Sequence, residues 1–406
     1  MLFLSKTSSS SSEKTVTSGV STQSAEPGTV GNLTLEQERC LQEAWIHILR
    51  LCGYEKTGNR VPDKSNEFLL NVKNISPDGF KDALWNYMFS DNPDGLVLRF
   101  LRARKWDVTK AIEMLVSAID WREERKINTN IIRGGESVGL KAEKTPDEEA
   151  FMMQYRSGKS YVRGNDKCGH PVYVIRVKLH DPNKQPAHVM ESFALHNIEM
   201  LRIMAKSRQD KATLVFDLTG FGLRNMDFHF VKFLIHMLEA RYPETLKMAI
   251  VHNAPFVFWG IWNVIKHWLD PVIASKIHFT SGNKGMHEFI PRDNLQKCFG
   301  GDDDWEYKYV EPTASENEQL YDAEKKGELL DQKTALINTF NQLTVEWATL
   351  ELDGSMAKAK DDQRRDVAQE LERKYWQLDP HIRSTTYYDR VGVLTRDGVV
   401  DFTAAR

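Results

Sequence analysis

Hydrophobic and polar positions change their spacing three times along this chain, and each change predicts a different kind of structure. Residues 1–32 are rich in serine, threonine and glycine and nearly lack large apolar side chains, so they cannot bury enough surface to offset ordering entropy. Residues 33–125 and 313–406 repeat apolar positions every three or four residues, whereas 126–312 alternates helical with extended stretches. The chain therefore divides into a disordered tail, a helical N-terminal region, an α/β domain and a helical C-terminal extension.

Local signals predict where several helices begin and end. Thr34 and Gln37 have the spacing of a capping box at the start of the first helix. Asp107 is placed to cap a helix that follows the basic and apolar segment Leu96–Trp106. In the extension, the pair Asp379–Pro380 predicts the end of the last long helix, because proline cannot donate the next backbone hydrogen bond.

The middle segment has the pattern of a largely parallel sheet. Two short extended runs on either side of a turn at 166–169 predict a strand pair. Apolar strands at 212–218 and 248–253 each follow a helical stretch, and a further strand is expected at 276–281. Continuous apolar strands separated by helices are typical of an α/β fold with helices packed on a parallel sheet.

One helix of this segment is unusually rich in aromatic residues. It lies between Pro255 and Pro271 and carries Lys266 and His267 near its end, whereas a bilayer span needs about 20 apolar residues. Its apolar stripe consists of Phe258, Ile261, Trp262, Ile265, Trp268 and Leu269. Such a stripe fits an ordinary core helix, and its tryptophans also suit a membrane interface.

Composition and charge narrow the classes of partner. The chain has 406 residues, 41% of them hydrophobic, which is typical of a globular protein of two or three domains. Its 54 basic and 57 acidic residues nearly cancel, so no global positive field favours nucleic acid. The four cysteines have no paired metal spacing, and no signal sequence is recognisable, which favours a reducing cytoplasm.

Common enzyme motifs are absent from the sequence. Gly220–Asn225 follows a strand and resembles a dinucleotide-binding loop, but Asn225 takes the place of the third glycine and Glu239 falls inside the next helix. A nicotinamide-dependent oxidoreductase is thus a remote alternative. The twelve histidines form no ligand cluster in sequence, which argues against a metal site and against haem.

Scattered charges around the α/β segment point to an anionic ligand. The run Arg99–Lys105 is strongly basic, and Lys276 is a second isolated cation after a proline turn. Anionic headgroups favour converging cations, although a solvated face is the alternative interpretation of the basic run. Glu244 ends a helix, where a carboxylate is unfavourable for the helix dipole, and we explain it as an acceptor for sugar hydroxyls.

Six separated motifs resemble, in order, those of the CRAL-TRIO lipid-transfer proteins. They are Leu98–Trp106, Phe216–Gly220, Tyr242–Glu244, Asn253–Phe256, Leu269–Ile277 and Phe299–Gly301. The chain is most similar to fungal phosphatidylinositol-transfer proteins of the longer type, whose C-terminal extension ends in a stretch like Leu378–Arg383. The resemblance implies a helical N-terminal cap followed by a mixed sheet whose helices enclose one lipid molecule.

The resemblance also implies a headgroup site. Positions matching the family motif are Lys105, Glu244 and Lys276, which hold the inositol phosphate, and Arg99 and Asp270 stand at matching positions in the same network. The expected ligand is phosphatidylinositol, with no cofactor and no metal.

Departures from the family pattern concern a second ligand. Members that exchange phosphatidylcholine carry hydroxyls where this chain has Ala212 and Leu214, and Ile273 replaces a hydroxyl residue between Asp-Pro and Ser-Lys. A pocket without those hydroxyls does not compensate a buried zwitterion. We therefore expect the second ligand to be a sterol or an isoprenoid hydrocarbon and not phosphatidylcholine.

These patterns predict a monomeric lipid-transfer protein that performs no covalent chemistry. It would be cytoplasmic and touch membranes of the endoplasmic reticulum, Golgi, endosome or lipid droplets transiently, with lipids entering through the aromatic gate. An alternative function is a lipid sensor that does not transfer its ligand and regulates a lipid kinase or another protein through the C-terminal helices.

Overall fold

The fold is described from a computed structural model. It describes residues 26–404, with gaps at 55–56, 58–59, 71, 73–75, 206–209 and 353. Residues 1–25 of the predicted disordered tail lie outside the described residues. Residues 26–32, which were predicted to belong to the same disordered tail, form a turn in which Gly28 N donates to Asn32 O.

The described part of the N-terminal region contains five helices. They are α1 (Leu35–Leu51), α2 (Ser65–Leu69), α3 (Pro77–Met88), α4 (Pro93–Ala103) and α5 (Val108–Glu124). Thr34 and Gln37 make the predicted capping box, and Asp107 accepts a hydrogen bond from the backbone of Lys110. Both predicted helix starts are confirmed.

The sheet has five strands in chain order. They are β1 (Ser160–Asn165), β2 (Pro171–Arg176), β3 (Ala212–Asp217), β4 (Leu246–His252) and β5 (Ile277–Thr280). The β1–β2 pair is antiparallel and the other three pairs are parallel, which confirms the largely parallel α/β fold. In this register Leu214 lies between Tyr173 and Ala249, so these side chains share one face of the sheet.

Helices cover that face of the sheet. The α/β domain contains α6 (Pro146–Arg156), α7 (Ala187–Met204), α8 (Phe228–His236), α9 (Phe256–Ile265) and α10 (Pro271–Ser275). A π-helical turn, Met237–Arg241, continues α8. The opposite face packs against Met286, Ile290, Leu295 and Phe299.

The C-terminal extension is helical, as predicted, and completes the N-terminal core. It consists of α11 (Ala323–Ala348), α12 (Ser355–Ile382) and α13 (Tyr387–Arg390). Phe340 of α11 lies edge-on to both Trp45 and Trp85, at ring-centroid distances of 5.5 and 5.6 Å. The extension therefore shares one apolar core with α1 and α3 to α5.

The predicted end of α12 at Asp379–Pro380 is wrong, because the helix continues to Ile382. Proline in the last turn removes a single backbone hydrogen bond, and other bonds compensate for it. The Asp379 carboxylate accepts hydrogen bonds from Tyr375 at 2.9 Å and from Arg383 at 2.8 and 2.7 Å, all of them buried.

Across residues 26–404, apart from the gaps given above, no helix combines the length and the apolar character that crossing a bilayer requires.

Candidate lipid-binding site

A cavity of about 210 Å³ lies between the sheet and its covering helices. Tyr173, Leu214 and Ala249 belong to its floor, and Phe193 of α7 and Phe230 of α8 belong to its walls. Most lining residues are apolar, so the cavity suits hydrocarbon better than a polar molecule.

The aromatic helix α9 closes one side of the cavity, and most residues of the predicted gate line it. The lining residues of this set are Phe258, Trp262, Ile265, Leu269, Ile273 and Leu214. Ile261 is buried in the apolar cluster around α9, and Trp268 packs edge-on against Phe228 at 5.8 Å. Ala212 lines a smaller chamber that shares Tyr173 and Leu246 with the main cavity.

The outer side of α9 is also apolar. Phe256 is 93% exposed and Trp259 is 42% exposed, and Trp259 packs on Phe279 of β5 at a centroid distance of 5.0 Å. Exposed aromatic side chains next to a cavity wall form a contiguous surface that favours contact with another apolar phase.

Lys276 and Glu244 lie together at the amino-terminal edge of the parallel strands. Lys276 Nζ donates to the carbonyl oxygen of Leu246 at 2.9 Å. Burial lowers the pKa of the Lys276 ammonium, and the nearby Glu244 carboxylate opposes that effect. The structure thus brings together two of the three principal headgroup residues named from the sequence.

A buried network fixes the turn that carries Glu244. The Tyr242 hydroxyl donates to Glu199, which also receives a hydrogen bond from Arg122. Glu244 itself has φ of 60°, a backbone conformation that costs energy in a residue with a side chain. Lys105, an exposed residue at the end of α4, has the same feature, with φ of 52°. Strained backbone held in place by surrounding structure is common at ligand sites.

Arg99 and Asp270 have structural partners that the sequence did not indicate. Arg99 is 5% exposed and donates to Asp210 at 3.0 Å and to Asp91 at 3.1 Å. Asp270 caps α10 by accepting from Val272 N at 2.7 Å. Arg99 anchors α4, and Asp270 fixes the helix that leads into Lys276.

Three further residues join the Lys276 edge, and sequence analysis missed them. Glu26 accepts from Lys211 Nζ at 2.6 Å and from Lys247 Nζ at 3.0 Å. These hydrogen bonds lower the pKa of the Glu26 carboxyl to about 2, with the Lys211 bond as the largest cause. Lys211 and Lys247 directly precede the strands predicted at 212–218 and 248–253, and the amino-terminal ends of parallel strands meet at one edge of a sheet, so this signal was present in the sequence.

At the carboxyl edge of the same strands, a second polar group borders the cavity. Lys159 Nζ lies 3.4 Å from His180 Nδ1, and His180 Nε2 lies 3.1 Å from Asp227 Oδ2. Lys159 is 5% exposed, and burial lowers the pKa of its ammonium to about 8. No motif in the sequence pointed to these residues.

The glycine loop after β3 has a structural role. Asn225 accepts a hydrogen bond from Gly222 N at 2.9 Å and donates to the carbonyl oxygens of Lys178 and His180. The residue that disrupts the dinucleotide motif therefore ties this loop to the segment after β2.

The β1–β2 turn brings together a carboxylate, a thiol and an imidazole that sequence spacing had left separate. One ligand atom each of Asp166, Cys168 and His170 lies within 4.8 Å of the others. The Asp166 carboxylate accepts hydrogen bonds from the backbone N–H groups of Cys168 and His170 and from the Thr213 hydroxyl. These bonds stabilise the turn and explain why the three side chains lie close together.

Two protein-family models match this chain. The family model "CRAL/TRIO domain" matches residues 155–301, and "CRAL/TRIO, N-terminal domain" matches residues 64–117. Phosphatidylinositol transfer protein CSR1 of Eremothecium gossypii is 33% identical, covering 92% of this chain and 99% of that protein. CRAL-TRIO domain-containing protein C3H8.02 of Schizosaccharomyces pombe is 39% identical over 78% of this chain and 69% of that protein.

The chain belongs to the CRAL-TRIO family. A third relative, phosphatidylinositol/phosphatidylcholine transfer protein SFH12 of Arabidopsis thaliana, is 32% identical over 51% of this chain and 39% of that protein. The CRAL-TRIO match contains Glu244 and Lys276, and the match to the N-terminal domain contains Lys105. Glu26 lies outside both matched ranges.

Proposed function

We propose that this protein binds single phosphatidylinositol molecules and exchanges them between membranes through its gated cavity. The observation that carries the proposal is an apolar cavity lined by Leu246 and Ile277, with Lys276 bonded to the carbonyl oxygen of Leu246 and within electrostatic reach of Lys211 and Lys247. Acyl chains supply most of the affinity, at roughly 0.8 kcal/mol per buried methylene. The names of the relatives from Eremothecium and Arabidopsis support the same ligand.

Headgroup selection rests with Lys105, Glu244 and Lys276. The ammonium groups bind the phosphate, and the Glu244 carboxylate accepts hydrogen bonds from inositol hydroxyls. Lys211 and Lys247 add positive charge at the same edge, with Glu26 as their present counterion. Arg99 and Asp270 act indirectly, by positioning the segments that carry Lys105 and Lys276.

The gate opens where α9 meets the membrane. Phe256 and Trp259 face outward while Phe258 and Trp262 face the cavity, so one short helix joins the two apolar surfaces. Insertion of the outer side into the membrane interface would draw α9 away from the sheet and admit a lipid. The expected membranes are those of the endoplasmic reticulum, Golgi, endosome or lipid droplets.

The second ligand is apolar, a sterol or an isoprenoid, and not phosphatidylcholine. Leu214 and Ile273 line the main cavity and Ala212 lines the adjoining chamber, so none of the three positions offers a hydroxyl to a zwitterion. Native mass spectrometry of lipids that co-purify from a eukaryotic host tests this assignment. Abundant bound phosphatidylcholine would contradict it.

A vesicle transfer assay tests the main proposal. We expect Lys105→Ala with Lys276→Ala to abolish phosphatidylinositol transfer while an apolar ligand still binds. A matched control, Lys308→Ala with Lys358→Ala, removes two exposed lysines outside the cavity lining and should transfer normally. Full transfer by the first double variant would refute the headgroup assignment, and binding without transfer by the wild type would identify a sensor instead.

A further inference from the structure

The cavity has a second polar end that the headgroup assignment leaves unexplained. Lys159 directly precedes β1, and its carbonyl oxygen accepts from Arg176 N at 2.7 Å, which fixes its backbone to β2. Its side chain borders the cavity beside the apolar residues Met190, Phe193 and Phe230. A lysine amine in such surroundings is costly unless its donors are satisfied.

The polar contacts of Lys159 leave donor capacity free. An ammonium group has three N–H donors, and across the described ranges the hydrogen bond found for Lys159 Nζ is the one with His180. His180 directs Nε2 at the Asp227 carboxylate, so Nε2 carries the proton and Nδ1 accepts from Lys159. Asp227 also caps α8 by accepting a hydrogen bond from Phe230 N at 2.8 Å, which fixes the position of the Asp227 carboxylate and hence of His180 and Lys159.

The charges around this end are balanced. The charged groups that act on Lys159 are Lys184, Asp181 and Asp227. Two cations therefore face two carboxylates, because the guanidinium of the lining residue Arg176 lies 5.7 Å from the ring of Tyr161, in the cluster on the opposite face of the sheet. Burial and the Lys159 charge both lower the pKa of His180, which favours the neutral ring. An anionic headgroup would meet no net positive charge here, whereas a neutral oxygen could accept a hydrogen bond from Lys159 without upsetting the balance.

The two polar ends lie at opposite edges of the sheet. Lys276 and Leu246 mark the amino-terminal edge of the parallel strands, while Lys159 and Arg176 mark the carboxyl edge. Six-residue strands rise roughly 3.3 Å per residue, so the ends are separated by about 20 Å of apolar floor. A lipid held by its phosphate near Lys276 would direct its tails toward Lys159.

We propose that Lys159 donates a hydrogen bond to the terminal hydroxyl of a neutral, otherwise apolar lipid, which therefore binds in the direction opposite to phosphatidylinositol. This proposal rests on the proposed function and specifies its second ligand as an alcohol, in preference to a pure hydrocarbon. A sterol and an isoprenoid alcohol share this chemistry, an apolar body with one oxygen at its end.

Two pairs of ligands test the proposal, and within each pair the two molecules differ by one hydroxyl group. Binding of each ligand to the full chain therefore separates recognition of the hydroxyl from burial of the apolar body. Dehydroergosterol is compared with its 3-deoxy analogue, and farnesol with farnesene, by energy transfer from tryptophan or by competition. We expect the wild type to prefer at least one alcohol over its partner by about tenfold, the factor for one hydrogen bond from a charged donor. A preference within the sterol pair assigns a sterol, and one within the farnesol pair assigns an isoprenoid alcohol.

Lys159→Met removes the donor and keeps the length of the side chain, so it should abolish the preference while the deoxy ligands bind as before. Lys358→Met, at an exposed lysine of the C-terminal extension outside the cavity lining, is the control and should retain the preference. Equal binding of both members of each pair by the wild type would overturn the proposal without any variant, as would a preference that survives Lys159→Met. Phosphatidylinositol transfer should continue in Lys159→Met. A wrong role for Lys159 would therefore appear in the alcohol preference alone, whereas a wrong headgroup assignment would appear in the transfer assay of the Lys105 and Lys276 variant.

Discussion

The carboxylate of Glu26 lies 2.6 Å from the ammonium of Lys211, although 185 positions separate the two residues in sequence. The same carboxylate reaches Lys247, and Arg102 Nη1 donates to the carbonyl oxygen of Gly28 two residues further on. The N-terminal turn thus supplies negative charge to the edge where we expect an inositol phosphate to bind. Glu26 and a lipid phosphate would compete for the same cations.

Glu26→Gln should therefore raise the affinity for phosphatidylinositol. The substitution removes the competing charge and keeps the size of the side chain, and because Glu26 is partly exposed we expect a gain of only about two- to fivefold. Binding to vesicles with graded phosphatidylinositol content measures the effect. Glu36→Gln, at an exposed carboxylate on α1, is the control, and an unchanged or weaker affinity in Glu26→Gln would show that Glu26 does not compete.

Phe256→Ser with Trp259→Ser should weaken vesicle binding by at least tenfold and slow lipid transfer accordingly. Each large apolar side chain contributes about 1.5–3 kcal/mol when it leaves water, so losing two removes much of the membrane contact. Co-sedimentation with vesicles measures binding. Tyr321→Ser with Met356→Ser removes two apolar side chains that are 75% and 67% exposed in the C-terminal extension, and this control should bind normally. Equal losses in both double variants would argue against α9 as the docking surface.

Lys159→Met should stabilise the protein against unfolding, and the gain should depend on pH. The pKa of Lys159 is lowered to about 8 from 10.5, so between these values the unfolded chain holds a proton that the folded chain has released. The stability cost of Lys159 is thus fully present below pH 8 and declines as pH rises toward 10.5. Urea unfolding of both proteins from pH 7 to 10.5 should show a shrinking difference, whereas Lys358→Met, at an exposed lysine of the C-terminal extension, should show none. A difference that stays constant with pH would contradict a buried ammonium.

Arg364→Met should cost about 3–5 kcal/mol of unfolding free energy, because the Asp94 carboxylate loses its buried cationic partner and keeps only the hydrogen bond from Trp45. Arg364 is fully buried, donates to Asp94 at 2.6 Å and lies 4.0 Å above the ring of Trp347. Chemical denaturation measures the loss. Arg365→Met, at a side chain that is 48% exposed, should change stability by no more than about 0.5 kcal/mol, and similar losses in the two variants would refute the role of the buried pair.

Local rules account for what the sequence predicted well. The capping box of Thr34 and the strand pair around the turn at 166–169 depend on neighbours a few positions apart, so their patterns are visible in sequence. The aromatic stripe was equally visible, and four of its six residues line the cavity. The predicted helix was too long, because α9 ends at Ile265 and leaves Trp268 and Leu269 in the turn before α10. Family motifs also located Glu244 and Lys276, which the fold brings within electrostatic reach of each other.

Long-range contacts explain the rest. Arg99 belongs to the basic run in sequence, yet the fold buries it between Asp91 and Asp210. Lys159, His180 and Asp227 are spread over three segments and meet only when β1, the segment after β2 and the start of α8 are assembled. Proline at position 380 was expected to end α12, but the buried bonds of Asp379 outweigh the one that proline removes.

The pairing of Asp94 with Arg364 has a consequence for synthesis on the ribosome. Asp94 emerges 270 residues before its partner, and Trp45 and Trp85 emerge long before Phe340. Domains generally fold as units during translation, N-terminal ones first. Here the first helical region cannot complete its core until α11 and α12 have been made, so a nascent chain stalled within α11 would present unpaired charge and bare aromatic surface to chaperones.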